Sequence, residues 1–321
     1  MFHQRGWLKA LSRTYGYEPL VLTTSPGGSP LKNGLALCRV SSWLTGTRLV
    51  SLPFADHCEP LLSDPEDAQT FAKWLREECD RDKLQYVELR PVSALQIDRS
   101  GLNPTVPFWL HELALDDSLA KIFRRLHKNS FQRKIRRAEK EGISYDVGRS
   151  PRHISDFYRL LLITRRRHQL LPQPHSWFAN LVECMGDNAA IRIARKDGHA
   201  IAAMLTLRHP SHVVYKYGCS NATLHRLGAM PFLFWRLIEE CKSLGVEKID
   251  LGRSDLDHKG LITFKDRLGA DKRLLTYRRY TNEAKRRETT PWKWRGLREI
   301  LHNLPQPFFS KAGGIFYKHM G

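Results

Sequence analysis

The stretch Asp250-Leu-Gly-Arg-Ser254, followed by Gly260-Leu-Ile-Thr-Phe-Lys-Asp-Arg-Leu-Gly269, decides the fold. An apolar strand at 248–251 leads into polar residues, and a short helix at about 261–267 precedes another strand at 273–280. A long helix from about 228 to 244 comes before it, with a proline tolerated in its first turn. Strands that alternate with amphipathic helices in this way predict an α/β domain.

The rest of the chain predicts that this domain is duplicated. The second half opens with helices at 152–169 and 177–184, and then has strands at 190–195, 200–208 and 212–217. The first half has a helix at 6–15, strands at 18–23, 34–40 and 48–52, a helix at 67–79, and strands at 86–90 and 106–113. Both halves run helix, three strands, helix, strand. A duplicated α/β domain of about 140 residues accounts for this order.

The composition describes a globular chain whose positive charge is concentrated. The 321 residues include 52 basic and 33 acidic side chains, a formal charge of +19, with 41% hydrophobic and 26% charged residues. These fractions exclude a disordered basic tail protein. No apolar run has the length of a spanning helix and the first residues lack a signal-peptide core, so an exported or integral membrane protein is not expected. Segments 121–140 and 285–321 carry +8 and +6 of the charge.

The first basic segment, 121–140, is predicted to be helical, because Phe131, Ile135 and Ala138 recur at helical spacing among lysine and arginine residues. A solvated helix face fits this pattern. So does an anion-binding surface for the phosphates of RNA, coenzyme A or a lipid-linked diphosphate. Sequence-specific DNA recognition is not indicated, since no helix-turn-helix, zinc-finger or RNP-type motif is present.

The second basic segment, 285–321, interleaves basic and aromatic side chains. They include Trp292, Lys293, Trp294, Arg295 and Arg298, and then Phe308, Phe309, Lys311, Phe316, Tyr317 and Lys318. Such residues are typical of the interfacial layer of an anionic membrane. A terminal helix that packs on the core has the same composition, and both interpretations can hold for opposite faces of one helix.

The six cysteines and fourteen histidines do not form a metal or disulfide pattern. No C-x-x-C pair occurs, and no H-x-x-x-H or H-E-x-x-H arrangement. Reduced thiols that pack as small apolar side chains are therefore expected, as in a cytosolic protein. A metal site is not predicted.

These motifs resemble the FemAB-related family, which consists of tandem GNAT-like (acyl-CoA N-acyltransferase) domains. The similarity lies in Ser51–Leu61, Lys128–Gly142, Leu227-Gly-Ala-Met-Pro231 and, most specifically, Asp250–Gly269. It runs over nearly the whole chain and implies mixed, mostly antiparallel sheets flanked by helices. The implied organisation is an N-terminal domain at 1–146 that ends in a basic helical linker at 117–146, a C-terminal domain at 147–283, and a basic aromatic tail at 284–321.

The resemblance also implies an activity. Characterised members transfer amino acids from aminoacyl-tRNA to lipid-linked peptidoglycan precursors, and this chain looks similar to a subgroup found with bacterial exopolysaccharide and exosortase systems. It departs from several tRNA-dependent members because it lacks a long helical arm in the second half. Arg226-Leu-Gly-Ala-Met230 is a degenerate version of a coenzyme A loop. The co-substrate is therefore left open between acyl-CoA and aminoacyl-tRNA, and no tightly bound cofactor is expected.

Aminolysis of either donor needs a cation or N–H donor at the oxyanion. The resemblance places a functional Phe264–Lys265 pair here, so Lys265 is the candidate for that role and Phe264 for substrate contact; an ordinary surface lysine is the alternative. Asp255 is the candidate base for a protonated amine. Arg253 is a candidate to hold a carboxylate or phosphate, or else forms a structural ion pair.

Other candidate residues bind substrate or donor. Lys216 and Tyr217 are candidates on one strand, where alternation predicts that Lys216 faces away from both neighbouring tyrosines. Asp56 and His57 are candidates for acceptor binding; a Cys58–His57 nucleophile is disfavoured, because adjacent residues point apart. The candidates for the donor phosphates are Arg133, Arg137, Arg226 and Gly228.

The sequence thus predicts a cytoplasmic bacterial acyl- or aminoacyltransferase that acts on an amine of a peptidoglycan or exopolysaccharide precursor. The acceptor could be lipid-linked, with the enzyme held peripherally at the inner face of an anionic membrane. One alternative is an acyl-CoA-dependent N-acyltransferase acting on a sugar or small amine. The other is a non-catalytic RNA- or membrane-binding protein of the same fold.

Overall fold

The computed structural model describes residues 1–93, 101–281 and 305–321. It divides into two units. The N-terminal unit comprises Phe2–Phe108 with residues 274–281 and Gly314–Gly321, and the C-terminal unit comprises Trp109–Arg273 with residues 305–313. Each unit has one mixed, mostly antiparallel sheet with helices against it. The predicted fold class is therefore confirmed.

The N-terminal unit is built on a six-stranded sheet. Its helices are α1 (Arg5–Tyr15) and α2 (Pro65–Arg81), and its strands are β1 (Glu18–Leu22), β2 (Leu35–Val40), β3 (Arg48–Val50), β4 (Val87–Leu89), β5 (Asn103–Pro104) and β13 (Arg278–Tyr280). The strand order is β1-β2-β3-β4-β13-β5; β3 and β4 run parallel, and the other pairs run antiparallel. Asp64 is the N-cap of α2, and its carboxylate accepts hydrogen bonds from the amides of Glu66 and Asp67. The helix buries Phe71 and Leu75 against the sheet.

The C-terminal unit is built on a seven-stranded sheet of order β12-β6-β11-β10-β9-β8-β7. The strands are β6 (Phe108–Ala114), β7 (Ser144–Gly148), β8 (Ala189–Lys196), β9 (His199–Arg208), β10 (His212–Ser220), β11 (Lys248–Asp255) and β12 (Asp271–Leu275). The helices are α3 (Leu119–Arg125), α4 (Arg133–Lys140), α5 (Pro151–Arg167), α6 (His175–Met185), α7 (Ala229–Ser243) and α8 (Lys259–Arg267). Helices α4 and α7 share one apolar core that includes Ile135, Ala138 and Leu237.

The two sheets exchange strands along the chain. Strand β6, which the sequence assigns to the first half, belongs to the sheet of the C-terminal unit, and β13 from the second half completes the sheet of the N-terminal unit. The predicted strand at 273–280 is in fact two strands, separated at 276–277. The units are therefore discontinuous in sequence, whereas the boundaries at 146 and 283 describe the sequence repeat and stay a prediction.

The basic segment 121–140 is not one continuous helix. Helix α3 ends at Arg125, the backbone of Leu126 is extended, and a π-helical turn at Lys128–Gln132 then runs into α4. The predicted apolar face of Phe131, Ile135 and Ala138 is buried. Because of this break, the basic side chains that point toward the protein are not those that one continuous helix would predict.

The described part of the second basic segment forms α9 (Gln306–Tyr317). Phe309 is fully buried beneath the guanidinium of Arg166, and Tyr317 packs against Phe54. Part of the helix thus packs on the protein, as one interpretation of the sequence predicted. Trp292, Lys293, Trp294, Arg295 and Arg298 lie outside the described residues. Within the described ranges, no helix has the length and apolarity needed to cross a bilayer.

Candidate active site

Two parallel strands separate in the middle of the C-terminal sheet. Strands β10 and β11 pair only from His212 with Lys248 to Val214 with Asp250. Strand β10 then continues along β9 to Ser220, and β11 runs on to Asp255. Beyond Val214 the two strands therefore diverge, which leaves room for a ligand at the carboxyl end of β10.

A β-bulge accompanies this separation. The register on β9 shifts between Tyr215, opposite Thr206, and Tyr217, opposite Leu205. The extra residue sends the two tyrosines to opposite faces of the sheet: Tyr215 packs on Phe234 of α7, whereas the Tyr217 hydroxyl accepts a hydrogen bond from Trp177 Nε1 of α6 at 3.0 Å. The prediction that Lys216 faces away from both tyrosines is therefore wrong, because strand alternation fails at a bulge.

A cavity of about 360 Å³ lies beyond the carboxyl end of β10. Its lining residues are Ser130, Phe131, Lys134, Ile201, Ser220, Asn221, Leu224, His225, Ala229, Met230, Pro231, Gly260, Thr263, Phe264 and Arg267. The π-helical turn, β10, α7 and α8 thus each contribute a wall. None of these lining residues, all within the described part of the C-terminal unit, is acidic.

The amino end of α7 forms one wall of the cavity. Gly228 is its N-cap, with φ +79°, and a Cβ there would lie 2.3 Å from the carbonyl oxygen of Lys134. Glycine is thus required both by the backbone conformation and by the close approach of α4. Helix geometry leaves the amides of Ala229 and Met230 without intrahelical acceptors, so this end suits an anionic group.

Basic side chains add to that potential. Lys134 and Arg267 line the cavity, and Arg267 Nη1 lies 3.2 Å from Ser130 Oγ. His225 Nε2 lies 2.8 Å from Ser220 Oγ and 3.3 Å from Arg167 Nη1. Burial, and then the charges of Arg167 and Lys134, lower the pKa of His225. The cavity therefore combines apolar walls with a cationic end, as a phosphorylated ligand with an apolar part requires.

The predicted pair on α8 is divided between two environments. Phe264 lines the cavity and packs against Phe131 and Phe234. Lys265 is buried, and its ammonium donates hydrogen bonds to Gly252 O at 2.8 Å, Arg253 O at 3.1 Å and Ser254 Oγ at 2.9 Å. An ammonium has three donors, and all three are used to hold the end of β11.

The other predicted residues of the C-terminal unit lie outside the cavity lining. Asp255 and Arg253 are exposed at the end of β11. Arg226 and Arg133 are exposed, and Arg137 forms an exposed ion pair with Glu141, the C-cap residue of α4. Of the four donor candidates, Gly228 lies next to the cavity, as the N-cap of the helix whose Ala229 lines it.

Asp56 and His57 lie in the N-terminal unit, in the loop that follows β3. The Asp56 carbonyl accepts a hydrogen bond from the Tyr277 hydroxyl at 2.6 Å, and His57 packs edge-on against Phe2. Burial raises the pKa of the neighbouring Cys58 thiol to about 12, which disfavours a thiolate nucleophile. Within the described ranges, no group of side chains could hold a metal ion.

Sequence reasoning missed Lys134, Arg267 and Ser130. The π-helical turn shifts the phase of the basic segment, so Lys134 lines the cavity instead of Arg133 or Arg137. Arg267 lies one helical turn from Phe264, and this i, i+3 spacing is a signal that would have found it.

Comparisons with known proteins identify the type of domain and the fold. Residues 125–260 match the family model of an acetyltransferase (GNAT) domain. The fold is similar to that of FemX, with a TM-score of 0.68 and 12% identity over 94% of each chain. It is also similar to the C-terminal domain of a protein described as a lysylphosphatidylglycerol synthetase from Agrobacterium fabrum, with a TM-score of 0.59 and 15% identity over 86% of this chain and 88% of that one.

A third similar structure is a tandem GNAT protein from the clavulanic acid biosynthesis pathway, with a TM-score of 0.51 and 14% identity over 80% of this chain and 81% of that one. No curated protein matches the chain by sequence. The matched domain and the fold define an acyltransferase with the GNAT fold. Residues 125–260 thus carry the GNAT domain, and the fold of the chain is similar to that of FemX and of a tandem GNAT protein, in agreement with the resemblance.

Proposed function

We propose that the protein transfers an activated acyl group, carried by a phosphate-bearing donor, to an amine of a cell-envelope component. The observation that carries this proposal is the cavity between the π-helical turn, β10, α7 and α8, with an open helix amino end and two basic side chains. Acyl-CoA and aminoacyl-tRNA both carry phosphate groups, which the pantetheine arm separates from the acyl group in acyl-CoA. Donor phosphates would bind at Ala229, Met230, Lys134 and Arg267.

In the proposed reaction the amine nitrogen attacks the acyl carbonyl, and a tetrahedral oxyanion forms. Collapse of this intermediate breaks the carbon–sulfur or carbon–oxygen bond to the donor, and the amine proton passes to the leaving group or to solvent. We propose that the oxyanion forms where β10 and β11 separate beyond Val214, within reach of a protein N–H donor. Lys265 would serve the oxyanion only by exchanging one of its protein acceptors, so we assign it to holding β11 beside the reacting group.

The acceptor is proposed from the similar structures. The name of the Agrobacterium protein denotes an aminoacylated membrane lipid, which supports an envelope component as the acceptor; because that lipid is an ester formed at a hydroxyl group, the amine of the acceptor is proposed from the resemblance to the FemAB-related family. We propose that the enzyme is cytoplasmic. Asp56 and His57 of the N-terminal unit stay candidates for contacts with the acceptor. A second candidate function, acyl-CoA-dependent N-acylation of a sugar or small amine, is favoured by the acetyltransferase family match and by the tandem GNAT protein, whose description names AcCoA.

The test measures donor binding. The full chain is titrated with acetyl-CoA, a longer acyl-CoA and aminoacyl-tRNA, and thermal shift reports the class that stabilises it. We expect Lys134→Ala to weaken binding of that donor by about tenfold, because one phosphate contact is lost. Lys140→Ala is the matched control, since Lys140 is an exposed lysine of the same helix outside the cavity lining. Equal affinities of the two variants, or no stabilisation by any donor, would contradict the proposal.

A further inference from the structure

We propose that the N-terminal unit docks on an anionic membrane surface through Trp43, Ile315 and Met320, which we call the Trp43 patch. Their side chains are 80%, 58% and 50% exposed. The Trp43 ring lies 5.4 Å from that of His319, which directly precedes Met320 and is one helical turn beyond Ile315. The proposal adds to the proposed function the place where the enzyme would meet a lipid-borne acceptor.

The loop that carries Trp43 is ordered by its own hydrogen bonds. Ser42 Oγ accepts from the amides of Leu44 at 3.2 Å and Thr45 at 2.9 Å, and lies 2.8 Å from His319 Nδ1. Thr45 Oγ1 in turn donates to the His319 carbonyl at 3.0 Å. A fixed loop therefore holds the indole in solvent. Little conformational entropy remains to be lost when Trp43 inserts into another phase.

The chain segment that carries Met320 is held just as firmly. Arg48 is buried and donates to the carbonyls of Gly321 at 2.6 Å and His319 at 2.8 Å. The Tyr17 hydroxyl donates to the carbonyl of Lys318 at 2.7 Å. The backbone of this segment is thus tied to the unit, while the side chains of Lys318 and Met320 remain exposed.

The charge beside the patch favours an anionic surface. Lys318 is exposed next to it, and Arg13 lies in the last turn of α1, whose Tyr15 ring lies 6.5 Å from that of Tyr317 in the adjoining helix. A tryptophan with aliphatic neighbours and flanking cations is the composition that enters the headgroup layer of anionic bilayers. Three side chains are too few for a stable protein interface, which buries about 800 Å² per partner.

The test is co-sedimentation of the full chain with vesicles of phosphatidylcholine alone and of phosphatidylcholine with phosphatidylglycerol. We expect binding to the anionic vesicles, and we expect Trp43→Ala to reduce the partition coefficient by about tenfold. Lys318→Gln should reduce it by about fivefold on anionic vesicles only. The matched control is Leu31→Ala, because Leu31 is 64% exposed in the loop at the other end of the β1–β2 hairpin.

Each other outcome overturns the proposal. Equal partition of the Trp43 and Leu31 variants would show that the patch does not meet lipid. Equal binding to neutral and anionic vesicles would remove the role of the cations. If Trp43→Ala instead abolishes self-association in ultracentrifugation, the patch is an interface between copies of this chain. Donor binding by thermal shift is measured on the same variants and should be unchanged, so failure of the membrane proposal is distinct from failure of the proposed function.

Discussion

Each unit contains a parallel strand pair followed by a polar loop. Only in the C-terminal unit does the region beyond the strand pair form a cavity among the described residues. In the C-terminal unit, β10 and β11 separate, and a cavity with a cationic end follows. In the N-terminal unit, β3 and β4 pair in parallel at Leu49 and Val50, and Arg90 then occupies the position beyond them. Its guanidinium donates to the carbonyls of Leu52 at 3.1 Å and Ala55 at 2.9 Å.

The two places also differ in how charge is balanced. Arg90 is 13% exposed and ion-paired to Glu88 at 3.0 Å, and Arg279 contacts the same carboxylate. Although burial alone would raise it, these two guanidinium groups hold the pKa of Glu88 below its usual range. The cavity of the C-terminal unit has cations without a carboxylate among its described lining residues. Equivalent parallel strand pairs thus border a candidate ligand cavity in the C-terminal unit and a buried, ion-paired arginine in the N-terminal unit.

Gly228→Ala should have the largest effect on transfer, because it distorts the cavity wall that the amino end of α7 forms against α4. A Cβ would meet the Lys134 backbone and force α4 and α7 apart. We expect kcat/KM to fall by about a hundredfold, measured in steady state with the donor that binds. Gly245→Ala is the control: Gly245 also has positive φ, +68°, at the other end of α7, but nothing lies within 4 Å of its Cβ position. It should cost about 1 kcal/mol of stability and leave donor affinity unchanged. Equal kinetics in the two variants would contradict the assignment of the site.

Lys265→Ala should have the next largest effect, because it releases the end of β11. Three buried acceptors lose their donor, so both the free energy of unfolding and kcat should fall, the first by about 2 kcal/mol and the second by about tenfold. Denaturant titration and single-turnover kinetics measure the two quantities. A loss of kcat at full stability would return Lys265 to the oxyanion role that the sequence predicted.

Arg90→Met should have the smallest effect on transfer and a clear effect on stability. The carbonyls of Leu52 and Ala55 lose their donor, and Glu88 loses one of its two cations. We expect the free energy of unfolding to fall by about 3 kcal/mol. Donor affinity in the C-terminal unit should change by less than about twofold. If Arg90→Met instead abolished donor binding, the assignment of Arg90 to stability and of the C-terminal cavity to donor binding would be wrong.

Much of the fold followed from local patterns. The stripes of Phe131, Ile135 and Ala138 and the long helix after Gly228 predicted elements that the structure contains, because apolar periodicity and helix-end residues act over a few residues. The strand exchange did not follow, since pairing partners far apart in sequence leave no local signal. The bulge at Lys216 did not follow either, since one extra residue in a strand leaves the apolar alternation nearly unchanged.

Of the residues at the candidate site, Gly228 could be predicted from the sequence, whereas the basic side chains that line the cavity could not. Gly228 stands in a turn before a helix, where the sequence itself points to a phosphate. Lys134 is one of nine basic residues in its segment, and only the π-helical turn determines that it faces the cavity. Phe264 was identified through the resemblance. Arg267, three residues later, was recognised only from the position of α8 in the structure.

The exchanged strands have a consequence for biosynthesis. Strand β13 lies between β4 and β5, so the first sheet cannot be completed until residues 278–280 have left the ribosome. By then the whole second sheet has been synthesised. The N-terminal unit therefore cannot fold completely before the C-terminal unit is synthesised, although amino-terminal domains usually fold first during translation. Long-range pairing of this kind slows folding and leaves an unpaired edge on β4 during translation, where a chaperone would be expected to bind.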